Sequence, residues 1–376
     1  MNDQLSKTRP VHGGNLAWAA QIVGCSPFAL LDFSASISPL GPSASVMSAI
    51  ASHLTDIKRY PTPGYGRLAA ALADHHDLDP AYILPGNGAA ELLTWAGRDL
   101  AQLDATYVFT PAFGDYARSL TAFDGQTRSC PLPLTEALSG AIDWTAVLAP
   151  ASGDDPSRCG LLLNTPHNPT GLLIPTEIIE DWLQQFALVV VDEAFMDFLP
   201  PSEQTSVINL VGQFPNLVVL RSLTKFYSLP GLRLGYAFAH PDCLQRWQQW
   251  RDPWPVNALA EVAAIAALQD TAYQQATWQW LPSCRADLIQ QLNKIPGLSP
   301  LPGQANYLLI QTQYPGPDLQ IELLKRHHIL VRDCMSFAEL GDRYIRIAVR
   351  TASENQQLIT ALTDILSIGQ ARERNL

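Results

Sequence analysis

The sequence predicts an α/β protein: a large domain on a mainly parallel sheet covered by helices, with a smaller α+β domain beside it. Three observations carry this. Short, continuously apolar runs alternate with helical patterns through the middle of the chain. Strands that are apolar along their whole length belong to parallel sheets buried on both faces. Past about residue 255 the pattern changes to a long helical region followed by a strand-and-helix region. The length, 376 residues, exceeds one small core and suits a large domain plus a smaller one.

In chain order, Tyr82-Ile83-Leu84-Pro85 leads into the turn Gly86-Asn87-Gly88, and a helix begins at Ala89-Ala90-Glu91. Tyr107-Val108-Phe109 reads as a strand, with a helix near 116–123. Leu161-Leu162-Leu163 is a strand ending at the polar turn from Asn164 to Gly171, and 176–186 is amphipathic. Leu188-Val189-Val190-Val191 is a buried strand ending at Asp192, Leu217-Val218-Val219-Leu220 another, and 234–238 a further one. Helical pattern runs from Asn257 to Trp280, and the small domain covers Ala305 to Leu366. These readings divide the chain into an N-terminal segment (1–45) packing with the small domain, a large domain (46–250), and an interdomain helix with the small C-terminal domain (251–376).

Composition excludes several classes. A formal charge of -11 argues against nucleic acid as the main partner. No apolar run reaches membrane-spanning length, and the polar start Met1 to Lys7 lacks a signal-peptide core. Six scattered cysteines without a Cys-x-x-Cys pair suit reduced thiols in the cytoplasm. The adjacent pairs His75-His76 and His327-His328 do not point the same way on a helix or strand, so no metal site is expected.

In open α/β sheets ligands sit beyond the carboxyl ends of the strands, and the polar residues fall there. Asn164 to Gly171 follows one strand, Asp192-Glu193 ends another, and Ser222 to Lys225 follows a third. Taken singly these are ordinary features: a turn, a capping aspartate, a surface lysine. Taken in this order they fit a planar aldehyde with a phosphate arm and a basic ring nitrogen. Ser222, Thr224 and Arg233 can hold the phosphate, and the cation lowers the amine pKa of Lys225, favouring the neutral nucleophile that forms a Schiff base. Free N–H groups at the helix start near Gly88 can bind the same phosphate.

With these motifs the chain resembles fold-type I pyridoxal-phosphate enzymes of the aspartate aminotransferase superfamily, over nearly its whole length. Within that superfamily it is similar to the histidinol-phosphate aminotransferases. It is similar still more to the threonine-phosphate decarboxylases of cobalamin biosynthesis, through His12 to Asn15, Leu31 to Pro42, Arg59-Tyr60-Pro61 and Asp252 to Asn257. The resemblance implies a seven-stranded large-domain sheet and the cofactor pyridoxal 5'-phosphate, bound covalently by Lys225. It implies that Asp192 pairs with the ring nitrogen, Asn168 with the phenolic oxygen, and that Phe113 stacks on the ring. The phosphate is expected at Gly88, Ala89, Ala90, Ser222 and Arg233, with Tyr60 arriving from the partner of a homodimer. Arg346 matches the arginine that grips the substrate carboxylate. Arg332, Arg350, His12 and Asn15 are candidates for a substrate phosphate. Phe195 departs from the pattern, which often has a tyrosine three residues after the aspartate. One fewer donor to the phenolic oxygen raises the pH at which the lysine link deprotonates.

The function so implied is decarboxylation of L-threonine O-3-phosphate to aminopropanol phosphate. The alternative is an aminotransferase of the histidinol-phosphate or aromatic amino acid type, which shares Lys225, Asp192 and the ring chemistry. Other classes fail on motifs. Ser222-x-x-Lys225 matches a penicillin-binding nucleophile, but no Ser-Asp-Asn or Lys-Thr-Gly partner is present. Gly86-x-Gly88-x-x-Glu91 lacks the third glycine of a dinucleotide fingerprint. A non-catalytic regulator would lack the lysine or the aspartate.

Overall fold

A computed structural model describes residues 9–139, 142–148 and 153–373. The polar start Met1 to Lys7 and the last three residues of the expected C-terminal domain lie outside the described residues. A seven-stranded sheet forms the centre. Its strands are β2 (Ile83–Gly86), β3 (Thr106–Thr110), β4 (Thr127–Pro131), β5 (Gly160–Asn164), β6 (Leu188–Asp192), β7 (Leu217–Ser222) and β8 (Gly235–Ala239), in the spatial order β2-β8-β7-β6-β5-β3-β4. The pairs among β3 to β7 are parallel, whereas β8 runs antiparallel to both β2 and β7.

The continuous apolar strands have a direct physical cause. Along β5, β6 and β7 successive side chains enter opposite cores. Leu161, Leu163, Val189, Val191, Leu217 and Val219 join one cluster, and Leu162, Val190, Val218 and Leu220 join the other. Both faces are covered by helices, so every position along the strand gains from burial. Only at the strand ends, where the covering helices stop, do polar residues appear. The register places Asn164 beside Asp192, and Asp192 beside Leu220.

The remaining strands form two smaller sheets. β12 (Tyr344–Ala348), β10 (Tyr307–Thr312) and β9 (Leu298–Pro300) are antiparallel. β1 (Leu31–Asp32) pairs in parallel with β11 (Ile329–Leu330), so the N-terminal segment is tied to the C-terminal third. The same segment also reaches the central sheet, because Ser38 N donates to the Lys225 carbonyl at 3.0 Å. The helical region after residue 257 is two helices, Ala258–Gln269 and Thr271–Leu292, separated by Asp270, which caps the second.

Candidate active site

At the carboxyl ends of β5, β6 and β7 a cavity of about 450 Å³ opens between the N-terminal segment, the central sheet and the C-terminal third. Its walls include His12, Ser34 to Ile37, Phe113, Tyr116, Asn164, Asn168, Asp192, Phe195, Thr224, Lys225, Arg233, Arg332 and Arg346.

Lys225 is set by a short helical turn. β7 ends at Ser222, whose side chain caps the helix Leu223–Phe226 and brings Lys225 back over the strand end. Its Nζ donates to Ser222 Oγ at 3.0 Å and lies 5.7 Å from the centre of the Phe195 ring. Burial lowers the amine from the ordinary 10.5 to about 8. The sequence suggested that a nearby cation would do this. Arg233 does contribute, but desolvation is the larger cause, and the Asp192 charge opposes both.

Asp192 is held at both oxygens. Ala194 N donates to Oδ1 at 3.0 Å and the Tyr116 hydroxyl to Oδ2 at 2.8 Å. Burial raises its pKa, while Lys225 and Tyr116 pull it back toward the anion. Burial and the Asp192 charge push Tyr116 well above the ordinary phenol value, so it stays a donor. Sequence reasoning missed Tyr116. The usable signal was its spacing of three from Phe113, the N-cap of the helix Gly114–Thr121, which brings the two rings to 5.7 Å between centres.

Arg233 and Gly88 form the other end. Gly88 has φ +76°, and a Cβ there would lie 2.6 Å from Arg233 Nη2, so the glycine lets the guanidinium close on the start of the helix Ala89–Leu100. Gly235 plays the matching part in β8, where a Cβ would sit 2.3 Å from Ala89 N. Gly88 therefore lies against Arg233 and Ala89 against Gly235, with Ser222 next to Lys225. Gly88, Ala89, Ala90 and Ser222 sit behind the cavity wall, which Arg233 and Lys225 form at this end.

The arginines divide. Arg346, on β12, donates to Asn168 Oδ1 at 2.6 Å and to Ser34 O at 3.2 Å, and its buried Nε has no partner among the described residues. Backbone hydrogen bonds in both directions place Arg332 beside it. Arg332 donates to Pro10 O, Val11 O and Ser336 Oγ. Burial and the Arg346 charge lower its pKa to about 10. The partners of both guanidiniums are neutral oxygens, so two cations face one cavity. Arg350 lies outside the cavity wall and bonds Asp32 O at 3.0 Å and Glu354 Oε1 at 2.7 Å.

His12 reaches the wall, 3.9 Å from Asp115 Oδ1 and tilted on Phe113 at 5.8 Å between ring centres. Asn15 does not line this cavity. It caps the helix Leu16–Val23 by accepting from Trp18 N at 3.0 Å. Tyr60 is 79% exposed and stacks on Trp254 at 4.5 Å, outside the cavity wall.

The donor set suits a planar aldehyde carrying a phosphate. It offers a buried amine of lowered pKa, a carboxylate held facing the cavity, an aromatic wall at Phe113, and a helix start closed by an arginine. Comparison with known proteins agrees. Residues 29–362 match the model of the family described as aminotransferase class I and II. A threonine-phosphate decarboxylase from Salmonella typhimurium is 41% identical over 95% of this chain and 96% of its own length. A histidinol-phosphate aminotransferase from Methanothermobacter thermautotrophicus is 29% identical over 95% of this chain and 94% of its own. Among solved structures, the histidinol-phosphate aminotransferase from Clostridium acetobutylicum superposes with a TM-score of 0.81 at 27% identity, covering 90% of this chain and 99% of that one.

Proposed function

The chain belongs to the class I and II aminotransferase family, and from that premise we propose that it is a pyridoxal-phosphate-dependent decarboxylase of L-threonine O-3-phosphate, releasing aminopropanol phosphate for cobalamin biosynthesis. The observation that carries the substrate is the pair Arg332 and Arg346. Two adjacent buried guanidiniums with neutral partners fit a ligand bearing two anionic groups, a carboxylate and a phosphate. The threonine-phosphate decarboxylase relative at 41% identity supports the same choice.

Each residue has a part. Lys225 would hold the cofactor aldehyde, and Asp192, whose pKa burial raises while Lys225 and then Tyr116 draw it back toward the anion, would hold the ring nitrogen. Asn168 would hold the phenolic oxygen, Phe113 would lie against the ring, and Gly88, Ala89, Ala90, Ser222 and Arg233 would take the phosphate. The bound cofactor supplies an electron sink for the bond broken at the substrate Cα. Arg346 takes the substrate carboxylate, with Asn168 bracing its guanidinium, and Arg332 and His12 take the substrate phosphate. Arg346 would set the orientation of the substrate carboxylate that leaves as carbon dioxide, and Lys225 Nζ would supply the proton that takes its place at Cα. Arg350 and Asn15 act behind the site, through Asp32 and the first helix respectively.

We divide the chain at about residues 45 and 250, place it in the cytoplasm, and propose a homodimer. The six cysteines are free thiols, as a reducing compartment keeps them. Tyr60, Ile57 and Leu54 are 79%, 69% and 52% exposed, apolar surface that a second copy would cover, and in that dimer Tyr60 would serve the partner's cofactor phosphate. The test is direct. Purified enzyme given L-threonine O-3-phosphate should release carbon dioxide and form aminopropanol phosphate. Glutamate formation from 2-oxoglutarate with histidinol phosphate, and no carbon dioxide, would favour the aminotransferase reading instead.

A further inference from the structure

The turn at the phosphate end of the site is held from outside the cavity. Gly86-Asn87-Gly88 is gripped by Glu91, whose Oε2 accepts from Asn87 N at 2.7 Å and whose Oε1 accepts from Trp95 Nε1 at 3.0 Å. Arg251, just past the helix Pro241–Trp250, lies against the same carboxylate. Its Nη2 donates to Glu91 Oε2 at 3.2 Å, while its Nε, 3.0 Å from Oε1, is an ion-pair contact without hydrogen-bond geometry. Its Nη1 donates to Pro85 O at 2.7 Å. One guanidinium thus reaches the turn from both flanks of Gly86, directly at Pro85 and through Glu91 at Asn87.

There is no slack in this arrangement. A Cβ on Gly86 would lie 2.7 Å from Leu92 Cγ and 3.0 Å from Glu91 Oε2. The arginine side chain is 5% exposed and belongs to no wall of the cavity. Burying a guanidinium is costly unless it is well paired, so its place beneath the turn needs a reason beyond packing. The segment it opens also reaches the opposite side of the phosphate end, because Asn257 Nδ2 donates to Leu232 O at 3.0 Å, next to Arg233.

We propose that Arg251 is a positioning residue for the cofactor phosphate. Through Glu91 and Pro85 it sets the Gly86–Gly88 turn so that the backbone at Ala89 and Ala90 and the Arg233 guanidinium converge on one anion. This rests on the pyridoxal-phosphate reading above, and adds a residue that never touches the cofactor. A residue acting only on the phosphate end should discriminate between pyridoxal 5'-phosphate and pyridoxal, which forms the same link to Lys225 without a phosphate.

The test measures the dissociation constants of both aldehydes for the full-length apoprotein from the visible absorbance of the lysine adduct. In Arg251→Gln the constant for pyridoxal 5'-phosphate should rise about tenfold, by analogy with residues that orient metal ligands from behind, while that for pyridoxal stays the same. Arg251→Lys keeps the buried charge but loses the planar fork whose separate nitrogens serve Pro85 O and Glu91 Oε2. It should show the same selective loss, and it decides the matter if Arg251→Gln does not fold. Equal losses for the two aldehydes, or no loss for either, overturn the inference alone. A wild-type chain that binds neither aldehyde overturns the cofactor reading and the inference with it.

Discussion

An exposed lysine at neutral pH is almost wholly charged and unreactive; the surroundings of Lys225 change that. The cavity lowers its amine to about 8, mainly by stripping water from the ammonium. At about 1.4 kcal/mol per unit, this disfavours the charged form by roughly 3 kcal/mol. At pH 7 roughly one molecule in ten then carries the neutral amine, against fewer than about one in a thousand for an exposed lysine. Competitive acetylation of the apoprotein across a pH series, read by mass spectrometry on the peptide carrying residue 225, should show reactivity rising through a midpoint near 8. The neighbours set the signs of two shifts. Asp192→Asn removes an anion that holds the ammonium charged, so the midpoint falls. Arg233→Met removes a cation that repels it, so the midpoint rises. A wild-type midpoint at the ordinary lysine value, or an upward move in Asp192→Asn, would refute the reasoning.

Three further outcomes are expected. Tyr116→Phe takes a donor from Asp192 Oδ2; a hydrogen bond to a charged group contributes about 1.5–3 kcal/mol, so kcat/KM should fall about tenfold to a hundredfold, and unchanged kinetics would contradict the role given to this phenol. Phe195→Tyr adds a hydroxyl to the cavity wall near Lys225; if it donates to the phenolic oxygen as the proposed site requires, the visible band of the holoenzyme should titrate at lower pH, and no shift, or an upward one, would count against it. Arg221→Met leaves Glu193 and Asp197 without their buried cation; the loss is about 3–5 kcal/mol and should lower the melting temperature by about 5 °C or more, whereas a change within about a degree would show that the pair adds nothing to stability.

Much of the fold was legible because its signals are local. Leu161 to Leu163, Leu188 to Val191 and Leu217 to Leu220 are apolar at every position because two cores claim alternate residues. The end of each run marked where Asn164, Asp192 and Ser222 had to lie. The direction of β8 was not legible, since an apolar strand reads the same whichever way it runs. Asn15 and Arg350 show the limit for side chains. Both were expected at the substrate, and both found partners nearby instead, Asn15 in Trp18 N and Arg350 in Glu354 four residues on. Local bonding of that kind competes with a distant ligand, and no spacing along the chain shows which will win.

The sequence by itself determined where the candidate chemistry lies, because Lys225, Asp192, Asn168 and Arg233 sit at strand ends or turns whose positions follow from hydrophobic pattern and glycine; the roles proposed for them come from the family motifs they match. The tertiary structure decided how that chemistry is tuned. Tyr116 is 76 residues from the Asp192 it bonds, and Arg251 is 160 from Glu91. Arg346 meets Ser34 and Asn168, and Arg332 lies beside it, only because β1 pairs with β11 and Arg332 bridges to β12. Charge and burial act through space, so the groups that set a pKa or brace a turn are chosen by packing, and the chain carries no local mark of them.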